Sequence, residues 1–469
     1  MHRADGEQLF LDDALVARRE NVRRQVVPAL KLGEPVLEPD RPWESGSAVF
    51  GTVLQDGGLL KMWYLGGGHV CYAESEDGTT WTKPALDAVE LQDGRSNVVI
   101  ERGAFGDYYE LFGVLKDEAD PDPSRRYKMS FLSITRDYDG PHQASHHPGS
   151  RRGLSTAVSA DGIHWAMETE FASDGVCDIS RMYQQPGTGR FVLYGRAKLA
   201  EDCGPWRSWG WGRAVTRIES DDFRTWSEPE SGPKSGPGSG PDLVLAADEG
   251  DREGTEIYSL PAFEYNGLHI GMPQMFYGRT DQGNLEIQLA TSRDGHTFER
   301  CEDRTPFLPE GGVGEWDRFN IALGCLPPVT VGDEWWFYYS GRTYRHGPYD
   351  GPDTAAASGG ARSRTGLATC PRGRLAALEA SFDGGAVETV PLTVSGTRLH
   401  LNADARWGTV GVTLLDAAGQ AIEGGSAPVQ GQDGVDVAVP LAVGAAALEK
   451  PVVLRLELHN ARVYGFTFA

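Results

Sequence analysis

Five stretches of the chain set an acid just ahead of an apolar, alternating run: Glu44 in RPWESGSAVFGTVLQ, Asp107 in GAFGDYYELFGVLKD, Asp178 in SDGVCDISRMYQQP, Glu256 in GTEIYSLPAFEYNG and Asp317 in GVGEWDRFNIALG. Two carboxylates brought together can divide the work of proton donor and of base or nucleophile. Their settings differ. Glu44 follows Trp43 and precedes small residues that let a ligand approach, whereas Asp178 sits among apolar residues. Glu256 runs straight into an apolar strand, a setting that suits a general acid. Trp316, beside Asp317, offers an aromatic platform. Arg196 closes FVLYGR and Arg342 closes WFYYSGR in corresponding places, and His346 follows in GRTYRHG. His142, His146 and His147 cluster in GPHQASHHPGSRR without acids behind them, which reads as a solvated loop rather than a metal site.

Acids so far apart in sequence meet only if the elements that carry them are arranged around a common centre. A repeat supplies that arrangement. SEDGTTW (75–81), SADGIHW (159–165), SDDFRTW (220–226) and SRDGHTF (292–298) each read Ser-x-Asp, a turn and an aromatic. Asp and Gly make a tight hairpin tip, and the aromatic opens the returning strand. A polar turn followed by an aromatic-rich strand recurs five times, at 56–67, 124–133, 187–196, 265–278 and 332–342. Five ordered copies of one unit predict a five-bladed β-propeller over 40–375. Beyond it, AVETVPLTVSGTRLHLNADARWGTVGVTLLDAAGQAI and VVLRLELHNARVYGFTF alternate without the Asp turn, and predict a β-sandwich over 376–469. Residues 1–39 are expected to pack on one of the two. SGPKSGPGSGP (231–241) and GPDTAAASGGARS (351–363) read as surface insertions.

Composition agrees with an all-β chain: 60 Gly, 28 Pro, 12 Trp, 16 Tyr and 17 Phe in 469 residues. The formal charge of −23 argues against nucleic acid and anionic membrane surfaces as partners. Six scattered cysteines without CxxC spacing fit reduced thiols in a cytoplasmic protein, and the first residues show no secretory pattern.

LFLDD (9–13), PWE (42–44) followed by GTVLQDGGLLKMWY, and LHLNADARWGTVGVTLLDAAGQ with ARVYGFTF carry a resemblance. The chain is similar to the clan of five-bladed propeller glycosidases that holds family 32 β-fructosidases and family 43 arabinanases and xylosidases, and within it to a family 32-like bacterial group. It departs from the invertase pattern: the Trp-x-Asn-Asp-Pro-Asn-Gly, Arg-Asp-Pro and Glu-Cys strings are absent. The resemblance implies a glycoside hydrolase or transglycosidase that takes an oligosaccharide or small glycoside, a fructoside or arabinofuranoside. It implies no cofactor, though some clan members bind a divalent cation in the channel. Clan enzymes add a third, orienting acid to the catalytic pair. The expected roles are Glu256 as general acid, Glu44 as nucleophile or base and Asp178 as orienter. Trp43, Asp107, Arg196, Trp316, Asp317, Arg342 and His346 are expected to hold substrate. A sialidase-like hydrolase and a non-catalytic carbohydrate-binding propeller are the rival classes.

Overall fold

The computed structural model describes residues 2–92, 94–106, 108–140, 149–174, 179–198, 213–227, 243–277, 283–346 and 363–469. Asp107, Asp178 and the three loop histidines lie outside them, as do Cys177 and Cys203. Among the described residues the chain is nearly all β, with helix confined to two 3-10 turns and Ala445–Leu448.

From Val49 to Pro371 the strands form successive antiparallel meanders. The first sheet is Val49–Asp56, Leu59–Gly66, His69–Ser75 and Val98–Ile100; the second is Tyr108–Lys116, Tyr127–Arg136, Ser150–Ser159 and Ala166–Ser173. The third runs Arg181–Gln184, Phe191–Lys198, Arg213–Ser220 and Leu243–Leu245. The fourth meander begins at Glu256–Ser259 and ends at Glu299–Arg300. It breaks into two short sheets where Pro261 and Pro273, which have no N–H, interrupt the ladder. The fifth holds Ala322–Leu323, Val329–Val331, Glu334–Gly341 and Arg364–Pro371, and takes its outermost strand, Leu30–Lys31, from the start of the chain.

The Ser-x-Asp motif works as its composition predicts, and in each copy the Ser hydroxyl and the Asp carboxylate accept the backbone N–H groups of the tip. Trp81, Trp165 and Trp226 each donate their indole N–H to the carbonyl three residues back, at 3.1, 3.0 and 3.3 Å. The three positions are therefore equivalent, although only Trp226 is fully buried. The tips also dock on the preceding sheet. Gly162 O accepts from Trp63 of the first sheet at 2.7 Å, Asp222 O from Arg125 of the second at 3.0 Å, and Gly295 O from Tyr194 of the third at 2.8 Å. Gly78 O of the first sheet accepts from Tyr338 of the fifth at 2.8 Å, and Phe263 and Tyr265 of the fourth meander lie edge-on to Trp335 of the fifth at 5.7 and 5.1 Å, so contacts link each sheet to the next and the fifth to the first. The first strands of neighbouring sheets also touch, including Val49–Asp56 against Ala322–Leu323. Between these strands lies a cavity of about 540 Å3, lined by residues such as Thr52, Val114, Met182, Cys325 and Pro327.

Burial pulls the carboxyl of Asp161 up, but hydrogen bonds from His164, both ring and backbone, and from the Ile163 N–H outweigh it and leave it at about 2. With a folded value below the unfolded ~3.9, this turn stabilises the fold above pH ~4 and loses that contribution as pH falls toward 2. Asp161→Ala should cost about 1–2 kcal/mol near neutrality, as lost caps do. In urea titrations the gap from wild type should close below pH ~3. A gap that does not depend on pH would assign the loss to packing.

Two further sheets follow. One runs Asp433–Ala438, Leu399–Asp404, Ala461–Phe468, Ala376–Ala380 and Arg23–Val26, with Gln8–Leu9 paired to Ala461–Phe468; the other runs Val16–Glu20, Gly385–Thr389, Val453–His459, Thr409–Leu415 and Ala421–Gln430. They share one apolar core in which Leu401, Val463 and Phe466 meet Val410, Val412 and Leu456, with Phe10 from the first residues among them. Glu7 links this unit to the fourth meander, accepting from Tyr265 Oη at 2.6 Å and Asn402 Nδ2 at 3.1 Å.

Candidate active site

Two of the acids chosen from sequence turn out to hold the scaffold together. Glu44 ends a 3-10 turn, Pro42–Glu44, and is 0 % exposed. Its carboxylate accepts from Tyr64 Oη at 2.5 Å, from Lys83 Nζ at 2.7 and 2.9 Å, and from the Arg41 N–H at 2.7 Å. Asp317 is built alike: Oδ2 accepts from Lys31 Nζ and from Tyr339 Oη, each at 2.9 Å, and the residue is 2 % exposed. Burial first, then Cys71 and Glu44 beside Tyr64 and Asp317 beside Tyr339, pushes both tyrosine hydroxyls far up, so both remain protonated donors. Both oxygens of Glu44 and Oδ2 of Asp317 are thus taken up by the scaffold, at the positions where the sequence leads one to expect a nucleophile or base and a substrate-binding acid.

The neighbouring tryptophans belong to the same devices. Trp43 Nε1 donates to Asn97 Oδ1 at 2.9 Å, and Trp316 Nε1 donates to the Gly33 carbonyl at 2.7 Å. Trp316 also stacks on Tyr339 with ring centroids 5.6 Å apart, so its face is taken by protein. A Trp-acid pair thus ties the entry of the first strand to the outer edge of the same sheet, in the first sheet and again in the fifth. Arg342 lies half-buried with its guanidinium over Tyr344 at 5.7 Å.

The other three candidates within the described residues come together. Glu256 opens the first strand of the fourth meander and is 1 % exposed. One of its oxygens pairs with Arg213 of the third sheet; Oε1 has no hydrogen-bond partner among the described residues. The apolar surround expected for Glu256 is therefore broken by a guanidinium. Tyr258, two residues on and on the same strand face, hydrogen-bonds His346 Nε2 at 2.6 Å. His346 also lies edge-on to Phe276 at 5.3 Å. Arg196 and Arg213 stand over the Tyr258 ring at 5.7 and 5.9 Å. Register explains the pair: Arg196 faces Val215 across the ladder, and Arg213 lies two residues from Val215, so both project toward the fourth meander.

Arg181 opens the first strand of the third sheet and is buried. It donates to Leu323 O of the fifth sheet at 2.9 Å and to Ser180 O at 2.8 Å, and interacts electrostatically with Glu110 of the second sheet and Tyr258 of the fourth. One guanidinium therefore bonds to the third and fifth sheets and lies within the electrostatic reach of groups on the second and fourth. Glu110, Arg181, Arg213 and Tyr258 were missed from sequence. Alternation could have found Glu110 and Tyr258, one lying on a recognised strand and the other two residues from Glu256. Nothing local marked the arginines.

Among the described residues no three His, Cys, Asp or Glu side chains gather to hold a metal ion. Cys71, Cys301, Cys325 and Cys370 are buried, and burial pushes all four thiols up and away from reactivity.

No protein-family model matches the chain, and no curated protein does. Solved structures do. One named simply a glycoside hydrolase matches at 12% identity, covering 76% of this chain and 92% of its own with a TM-score of 0.44. A thermostable family 43 glycoside hydrolase matches at 12% identity over 72% of this chain and 94% of its own, TM-score 0.45. A family 32 β-fructofuranosidase of Bombyx mori matches at 9% identity over 92% and 93%, TM-score 0.42. The second and third are named for the two families that the sequence resembles. Overlays this loose transfer no residue roles.

Proposed function

We propose that the chain is a glycosidase, a hydrolase or transglycosidase, with its site at one mouth of a five-bladed β-propeller and a β-sandwich packed beside it. The contacts that link each meander to the next and the fifth to the first, with Arg181 bonded between the third and fifth sheets, support the propeller reading; the apolar core common to the last two sheets supports the sandwich. The observation that carries the function is Glu256: a nearly inaccessible carboxylate at the channel mouth, with one oxygen held by Arg213 and the other left to accept a hydrogen bond. A buried acceptor without a donor is costly unless a ligand supplies one, and a sugar hydroxyl does so. Glu110, from the second sheet, provides the second carboxylate that glycosidic cleavage requires. The resemblance to the glycosidase clan supports furanosides, fructosides or arabinofuranosides, as substrates.

Aryl and alkyl glycosides of furanoses, together with fructans, test this reading. Glu256→Gln should lower turnover by at least ~10² on substrates with poor leaving groups, the scale of general acid–base help, and by less on activated aryl glycosides. Wild-type rates from the Gln variant on both would remove Glu256 from the chemistry. Sugar binding without turnover in the wild type would favour the non-catalytic alternative.

A further inference from the structure

Five connections between the last two sheets line one end of the unit they form. In the order of neighbouring strands they are 21–22, 381–384, 460, 405–408 and 431–432. Register fixes the shared end: Arg23 pairs with Glu379, Ala380 with Ala461, and Asp404 with both Arg462 and Asp433. Two of these connections carry large exposed aromatics, Phe382 at 87 % and Trp407 at 85 %. Every other Phe, Trp or Tyr whose side chain is among the described residues is buried or half-buried. Asn460, between the two, ties both turns: its backbone N–H donates to Ser381 O at 3.0 Å and its side-chain amide to Trp407 O at 2.9 Å. Gly408 lets the Trp407 turn close on the central one, since a Cβ there would run into the His459 carbonyl.

We propose that this end is a carbohydrate-binding platform that takes one extended, neutral glycan of β-linked pyranose units. Phe382 and Trp407 stand two strand positions apart, about 10 Å at ordinary strand spacing. That is the span of two sugar units in an extended chain. The C–H face of a pyranose stacks on the electron-rich face of an aromatic ring. Between and beside the rings, exposed Asn21, His459, Asn460 and Gln432 offer amide and imidazole groups to sugar hydroxyls. Charged neighbours include Asp383 and Arg406, the latter paired with Asp404 at 2.7 Å. Two rings cover about 300–500 Å2, short of the ~800 Å2 per partner that a stable protein interface uses, so a second copy of the chain fits less well. A net charge of −23 opposes an anionic membrane. These residues lie outside the Glu256 site, and the platform does not depend on the chemistry proposed there.

Native affinity electrophoresis of the full chain in gels containing β-1,4-xylan, β-1,4-mannan or hydroxyethylcellulose tests the proposal, with calorimetry on the matching hexasaccharides. At least one glycan should retard the chain, and Glu256→Gln should be retarded equally. Trp407→Ala and Phe382→Ala should each weaken binding about ten-fold, the loss of one stacked ring, and together abolish it. Melting temperatures should match wild type, because neither ring is packed in the core. Free migration in all three glycans overturns the proposal, as does a double variant that binds like wild type. Retardation lost in Glu256→Gln would move the glycan to the propeller and overturn it too. A dimer in sedimentation that the double variant dissociates would instead assign the two rings to a contact between copies.

Discussion

Replacing Glu44 by alanine should destabilise the protein by about 3–5 kcal/mol, the cost of stranding one member of a buried ion pair. The stranded partner is Lys83, whose side chain is only 4% exposed and whose ammonium is also held by Glu38 O and Asp40. The Tyr64 hydroxyl, 2.5 Å from Glu44 Oε1, would lose its acceptor as well. Lys83→Met in the same background should recover part of the loss, since removing both charges is far cheaper than removing one. Chemical denaturation measures the stability, and turnover per folded molecule should be unchanged. Intact stability with collapsed turnover would return Glu44 to the chemistry.

Trp63→Ala should cost a similar ~3–5 kcal/mol. The indole is 0 % exposed, lies 5.6 and 5.9 Å from the rings of Tyr72 and Tyr127, and donates to Gly162 O across the contact between the first and second sheets. Trp63→Phe separates the two contributions: it keeps most of the apolar volume and removes one of the two indole donors to Gly162 O, which still accepts from Trp165 Nε1 at 3.0 Å, so it should cost only about 0.5–1.5 kcal/mol, the net worth of one hydrogen bond. Equal losses for Ala and Phe would mean that the hydrogen bond, not the packing, joins the sheets.

The strand-turn repeat was legible in the sequence because its chemistry is local: Ser, Asp and a positive-φ residue fold a tip wherever they occur together. Even the third copy obeys, with Phe223 at φ 66 where the others have glycine, its ring covered by Phe191 and Trp226. The acids were less legible. An acid ahead of a strand looks the same whether it faces a channel or a lysine, and the partners that decide, Lys83 for Glu44 and Lys31 for Asp317, are 39 and 286 residues away. Glu256 stands out in the sequence because it runs straight into an apolar strand, but its partner Arg213 lies 43 residues away. The arginines around Tyr258 come from strands whose register only the third dimension reveals.

The first thirty residues set the timing of folding. Gln8–Leu9 pairs with Ala461–Phe468, Arg23–Val26 with Ala376–Ala380, and Leu30–Lys31 with Arg364–Pro371. A ribosome delivers these early strands several hundred residues before their partners, and loop-closure entropy must be met before such distant pairings give anything back. The opening segment therefore emerges as an unpaired edge, the kind of surface that invites association with other chains. Its basic run, Arg18, Arg19, Arg23 and Arg24, keeps that nascent stretch charged and soluble until Arg24 finds the Phe10 and Asp12 carbonyls and the Asp13 carboxylate. Stability is in turn shared between distant parts of the chain, because Ala461–Phe468 holds Gln8–Leu9 in place.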